Sequence, residues 1–216
     1  MSDLITLDLV DSDGAIRDAE DAVAGDTRAD FFRKAALGGG ALLGGSVLLS
    51  GFPMLADAKP SIKQDVKILN YALTLEYLEN AFYVEALAKA GLTGDAQRAA
   101  QVIQKHEQAH VEFLRKALGK AAIKKPKFAF GDATSNQAKF LATAVVLEDT
   151  GVSAYAGQAT RIKQVPVVKA ALSIHSVEAR HAAFVRELAG QSFAPRAFDR
   201  AANMNAVLKK AGPFIA

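Results

Sequence analysis

Four glutamates and two histidines in this chain have the types and spacing to hold two divalent metal ions: Glu76, Glu107, His110, Glu148, Glu178 and His181. All six recur in steps of three and four with apolar residues, which places them on the inward stripe of a helix. The first stripe runs Ile62, Val66, Leu69, Leu73, Glu76, Tyr83 and Leu87, and the second runs Ile103, Glu107, His110 and Leu114. The third runs Leu141, Val145, Glu148, Val152, Tyr155 and Ile162, and the fourth runs Val167, Ala171, Ile174, Glu178, His181, Val185 and Leu188. A buried, unpaired carboxylate costs several kcal/mol or more, so core carboxylates are neutralised, paired or bound to metal. Four carboxylates balance two divalent cations in charge, and two neutral imidazoles complete the donor set.

An internal repeat links the six. Glu76 and Glu148 lie 72 positions apart, and each is followed seven residues later by a tyrosine, Tyr83 or Tyr155. Glu107-x-x-His110 recurs 71 positions on as Glu178-x-x-His181. Each half therefore supplies one Glu helix and one Glu-x-x-His helix, and a pseudo-twofold arrangement would set one metal near each Glu-x-x-His. A single Glu-x-x-His is often just a surface pair in i,i+3 contact. Two copies in a chain with only four histidines, on four core stripes, carry more weight. The competing reading is a degenerate polar core. Glu79, one turn from Glu76, competes for the same role, but the repeat aligns it with Gly151, which favours Glu76. His106 and His175 fall off the stripes and read as surface or rim residues. Tyr83 and Tyr155 read either as core aromatics or as partners of the carboxylates.

The elements that must position these residues can be read from caps and breaks. Ser61-x-x-Gln64 is a capping-box start for a helix to about Ala90. Gly91 to Gly94 makes a turn, and a second helix runs from about Asp95 to Leu118. Residues 119–134, with Pro126 and Gly131, read as a loop. A third helix spans about Ser135 to Gln164, and a fourth starts at Val165-Pro166 and ends near Ala189. The short links make the first and second helices antiparallel, and likewise the third and fourth. The middle connection, about sixteen residues, can reach roughly 50 Å, whereas a 25-residue helix is about 38 Å long. It can therefore return along the whole bundle. The expected fold is all-α: a four-helix bundle with one long crossover over residues 59–190, followed by a short C-terminal tail, 191–216, packing on the bundle.

Composition bounds the chemistry. Cysteine is absent, which excludes disulfides, thiolate metal sites and a cysteine nucleophile. Any metal must take oxygen and nitrogen ligands. No organic-cofactor motif is present, and no catalytic residue emerges beyond the metal cluster itself. From Lys59 onward Lys and Arg exceed Asp and Glu, 22 against 13, without a nucleic-acid motif, so the excess reads as a solvated helical surface. Residues 1–27 are acidic and poor in large apolar residues and read as a disordered leader. Residues 28–58 hold a positive segment around Arg28 to Lys34, an apolar run from Ala35 to Leu49 and Ala56-Asp57-Ala58, the three parts of an export signal. The apolar run is short for a bilayer span, so no stable membrane span is expected after processing. The segment resembles a twin-arginine signal, with Ala29 where the second arginine belongs. An interfacial helix that stays attached is the competing reading.

The constellation over residues 61 to 189 resembles the ferritin-like superfamily of dinuclear carboxylate proteins. More narrowly, Asn70 to Leu87, Phe140 to Ala159 and Ala197 to Ile215 are similar to exported bacterial ferritin-like domains related to desiccation-associated proteins. The resemblance implies that Glu76 and Glu148 are terminal ligands, that Glu107 and Glu178 bridge, and that His110 and His181 bind one metal each. It implies that Tyr83 and Tyr155 hold the bridging carboxylates by hydrogen bonds. The donor set suits iron or manganese, and zinc can occupy such a site. The expected function is a dimetal oxidoreductase of the cell envelope or periplasm, acting as a ferroxidase, a peroxidase or a manganese-catalase-like scavenger. Its partners are metal ions and dioxygen or hydrogen peroxide, without a specific nucleic acid, and a homo-oligomer is left open. The alternative is a non-enzymatic, metal-stabilised envelope protein that protects against drying or oxidative stress.

Overall fold

The computed structural model describes residues 60–216. The leader, residues 1–27, and the export-signal-like segment, residues 28–58, lie outside the described residues. Five α-helices follow in order: α1 (Ile62–Lys89), α2 (Gly94–Leu118), α3 (Gln137–Gln158), α4 (Val165–Leu188) and α5 (Met204–Ala211). Short 3-10 turns sit at Gly119–Ala121, Gly131–Thr134, Ala159–Arg161 and Gly212–Phe214. Among the described residues no helix is long and apolar enough to cross a membrane.

Local chemistry sets most helix ends. The Ser61 side chain accepts from the Gln64 N–H at 3.2 Å and starts α1. Asn136 caps α3 through the Lys139 N–H at 3.0 Å, and Asn203 caps α5 through Ala206. Side-chain caps of this kind satisfy N–H groups that have no partner within the helix. The Asn136 cap starts α3 at Gln137 rather than near Ser135. The helix also stops earlier than its apolar pattern suggests, at Gln158 instead of near Gln164.

The reason for the early stop is a buried acid in α1. The Asp65 carboxylate accepts from the Lys163 N–H at 2.8 Å, the Gln164 N–H at 3.0 Å and the Gln164 amide at 3.0 Å. Those backbone donors would otherwise belong to a continued α3. Gln164 is the residue preceding the first turn of α4, so Asp65 anchors the link between α3 and α4 from another helix. Asp65→Ala strands these donors in a part-buried setting, a loss of about 2–3 kcal/mol. At roughly 2–4 °C per kcal/mol for a domain of this size, calorimetry should show a Tm drop of several degrees, with Asp65→Asn recovering part of it.

Side-chain pairs fix the direction of the helices. Glu76 and Tyr83 of α1 meet Tyr155 and Glu148 of α3, so these two run antiparallel. His106 and His110 of α2 meet His181 and Glu178 of α4, and these are antiparallel as well. The long connection thus leaves α2 and α3 parallel on the diagonal, as the crossover topology requires. It is pinned on the way. Asn70 of α1 donates to the Ala121 carbonyl and accepts from the Ile123 N–H, both at 2.9 Å. Phe128 then forms an antiparallel bridge with Ile215.

The tail closes against α3. Val207 and Ala211 of α5 are buried in the core, and the Ala202 N–H donates to the Ser153 carbonyl at 2.9 Å. Gly157 permits this approach: a Cβ there would stand 1.8 Å from the Ala202 carbonyl oxygen. Two apolar clusters make up the core. One is built on Phe82, Tyr83, Phe130 and Phe140, with the Phe82 and Phe140 rings stacked at 5.4 Å. The other contains Leu73, Tyr77, Val111, Leu114, Tyr155 and Ile174. Along each long helix the polar candidates fall between the residues of these two clusters, which keeps bulk water away from them. Ile62, at the head of the first apolar stripe, is instead exposed at the helix end.

Candidate metal centre

Glu76, Glu107, Glu148 and Glu178 are each fully buried, and the side chains of His110 and His181 retain only 11% and 6% exposure. The four long helices bring all six together. Two overlapping groups can each hold a cation: Glu76, Glu107, His110 and Glu178, and Glu107, Glu148, Glu178 and His181. Within each group one donor atom per residue lies within 4.8 Å of the others. Glu107 and Glu178 belong to both groups, whereas Glu76 and Glu148 belong to one each.

The donor atoms aim inward. His110 Nδ1 is 3.2 Å from Glu76 Oε2, 3.3 Å from Glu107 Oε2 and 3.2 Å from Glu178 Oε1. His181 Nδ1 is 3.1 Å from Glu107 Oε1 and 3.3 Å from Glu148 Oε2. At His181 the proximity does not amount to hydrogen bonding. Glu107 Oε1, Glu148 Oε2, both oxygens of Glu178 and His181 Nδ1 are all buried with no hydrogen-bond partner. Buried polar atoms are nearly always satisfied, so five unsatisfied ones converging on one volume call for a ligand. Carboxylate oxygens and imidazole nitrogens are the donors that divalent first-row metals take.

The tyrosines depart from the sequence-based expectation. The Tyr83 hydroxyl donates to Glu148 Oε1, and the Tyr155 hydroxyl donates to Glu76 Oε1. They hold the carboxylates that belong to one group each, not the two shared ones. The antiparallel pairing of α1 and α3 sets a tyrosine two turns beyond one glutamate opposite the glutamate of the other helix. Burial, with the adjacent carboxylate, pushes both phenols well up, so they stay protonated and donate. Each leaves the second oxygen of its glutamate facing the centre.

The cluster holds a fifth carboxylate. Glu79 is buried beside Glu76 rather than excluded by it. Gly151, which the repeat sets opposite Glu79, supplies the room: a Cβ there would lie 3.2 Å from both Glu79 Oε1 and Glu178 Oε2. Burial first, then the charges of Glu178, Glu107, Glu148 and Glu76, push the Glu79 carboxyl well above its usual range. The same two causes raise Glu107 and Glu178. Burial would also raise Glu76, but hydrogen bonds with His110 and Glu107 outweigh it and hold Glu76 ionised. Burial would lower His110, yet its contacts with Glu107, Glu178 and Glu76 prevail and raise it to about 12.

His106 also departs from its reading as a mere rim residue. It is exposed on α2, yet its Nδ1 lies 2.8 Å from His181 Nε2 and the two rings stack at 5.1 Å. His175 is half-buried, and its Nδ1 has no hydrogen-bond partner. A groove of about 600 Å³ between α2 and α4 is lined by Val102, His106, His110, Val177, His181 and Phe184.

A family model described as a ferritin-like domain matches residues 64–191. A comparison with curated proteins found no match.

Proposed function

The chain belongs to the ferritin-like domain family, and on that premise we propose that its buried cluster is a dinuclear metal centre that oxidises ferrous iron or reduces or dismutates peroxide. Glu107 and Glu178 would bridge the two ions, with Glu76 and His110 completing one position and Glu148 and His181 the other. The observation that carries this reading is the set of converging, unpartnered donors on Glu107, Glu148, Glu178 and His181. Iron or manganese fits this all-oxygen-and-nitrogen donor set, and zinc fits it without redox chemistry. Bound there, a redox-active pair would supply electrons to dioxygen or hydrogen peroxide, or take them from ferrous iron.

The chain's own residues have separable tasks. Tyr83 and Tyr155 fix one oxygen of Glu148 and Glu76, so that the other is presented without reorganisation. Glu79 sets a fifth carboxyl beside Glu178, in the space that Gly151 leaves open. The two apolar clusters exclude bulk water, and the groove beside His110 and His181 supports entry of a small oxidant. The export-signal-like segment and the narrower resemblance to desiccation-associated domains support an envelope location and a protective role.

Stopped-flow assays of metal-loaded protein with ferrous iron or hydrogen peroxide test the reading. The Glu76→Gln, Glu148→Gln double variant keeps side-chain shape and removes two charges. Turnover should fall by more than the roughly 10–100-fold that loss of an outer hydrogen-bond partner costs, while circular dichroism shows the helices intact. Unchanged turnover would remove these residues from the chemistry. Metal-loaded wild-type protein inert toward both substrates would favour the non-enzymatic, metal-stabilised envelope protein.

A further inference from the structure

The two halves of the cluster differ at one position that the repeat would otherwise match. Shifting His106 by the 71 positions that relate Glu107 to Glu178 lands on Val177. Both side chains line the same groove. His181 is therefore gripped on two sides. Its Nδ1 faces Glu107 and Glu148, and its Nε2 lies 2.8 Å from His106 Nδ1. His110 presents its Nδ1 to the carboxylates in the same way, but among the described residues its Nε2 has no hydrogen-bond partner.

We propose that His106 is a positioning residue that holds His181 with its Nε2 protonated and its Nδ1 free for metal, making the two metal positions unequal, with the one at His181 the tighter. The inference rests on the dinuclear reading above. Its basis is the geometry of a ring with two distinct nitrogens. A hydrogen bond on the outer nitrogen decides which nitrogen carries the proton, and it raises the basicity of the inner one. The stacked rings, only 16° from parallel, also restrict rotation of His181. His106 is suited to accept. In the neutral ring its Nδ1 offers a lone pair, and that atom lies against His181 Nε2. A valine in the corresponding place of the other half cannot accept, so His110 lacks this support.

Calorimetric titration of the full-length, metal-free protein with manganese(II) tests the proposal. Wild-type protein should bind two ions in two separated steps. In His106→Val, which copies Val177, two ions should still bind, with the tighter step weakened about 10–100-fold and the two steps drawn together. His106→Asn, whose amide oxygen can accept in place of Nδ1, should restore most of the separation. A purely structural role would give no such rescue. Because His106 is exposed, the variants should keep the wild-type Tm, and circular dichroism checks this. A second readout uses zinc-loaded protein. The ring Nε2–H of His181 should be visible and protected from exchange in the wild type and lost to solvent in His106→Val. Two ions in the wild type with an unaltered titration in His106→Val would overturn the proposal and leave the metal centre standing. No ion in the wild type would remove the centre and this proposal with it.

Discussion

Glu107→Ala and Glu178→Ala should each empty both metal positions, whereas Glu76→Ala and Glu148→Ala should each weaken one. The difference follows from membership: the two shared glutamates enter both donor groups, and the other two enter one each. Elemental analysis after gel filtration should find about two ions per chain in the wild type and well below one in either shared-ligand variant, since a site that loses an anionic ligand loses much of its binding free energy. The metal-free variants should still fold. Each substitution leaves a cavity and takes a partner from His110, so their metal-free Tm should fall below that of the wild type while the helices persist. Equal losses at all four glutamates would contradict the bridging assignment.

The second large effect is on pH dependence, where the metal-free and metal-loaded proteins should diverge. Burial, reinforced by neighbouring carboxylates, raises Glu79, Glu107 and Glu178 above the ordinary 4.5. A group whose pKa is raised on folding binds more protons in the folded chain. Its contribution is complete below 4.5 and is lost as pH climbs through the folded value. At His110 and His181 burial alone would lower the pKa, but contacts with the carboxylates raise both, His110 to about 12. Their contribution begins to fade only above the ordinary 6.5. Glu76, held low, acts in the opposite sense and sets the acid limb. The metal-free Tm should therefore fall from about pH 5 towards pH 9. Metal binding requires Glu107, Glu178, His110 and His181 to release protons, so affinity rises over the same range. The loaded protein is stabilised by linkage, about 4 kcal/mol at a thousandfold excess over Kd. Scanning calorimetry of both forms should show the Tm gap widening with pH, and a gap independent of pH would contradict the account.

The bundle and the six-residue constellation were legible because both depend on spacing within single helices. Glu107 and His110, three apart on an apolar stripe, must share a face whatever lies opposite. The features that escaped depend on what meets across helices. Glu79 aligns with Gly151 in the repeat, which favours Glu76 as the ligand, yet the missing side chain is what admits a carboxylate there. Read as space rather than mismatch, that glycine would have pointed to Glu79. Tyr83 and Tyr155 meet Glu148 and Glu76 of the opposite, antiparallel helix rather than the two shared glutamates, an exchange that the predicted topology already implies. His106 lies one turn before His110 in a chain with four histidines, a signal of sorts, but its contact with His181 spans 75 residues. Asp65 had no signal at all, since its partners on Lys163 and Gln164 lie 98 and 99 residues away.

In the proposed centre, two metal ions sit between Glu107 and Glu178. Crystals of the protein reconstituted with ferrous iron or manganese, with diffraction recorded at the absorption edge of that metal, test it most directly. Two anomalous peaks are expected within the bundle, both at coordination distance from Glu107 and Glu178, one next to His110 and the other next to His181. No peak between the four glutamates, or peaks only at the protein surface, would contradict it.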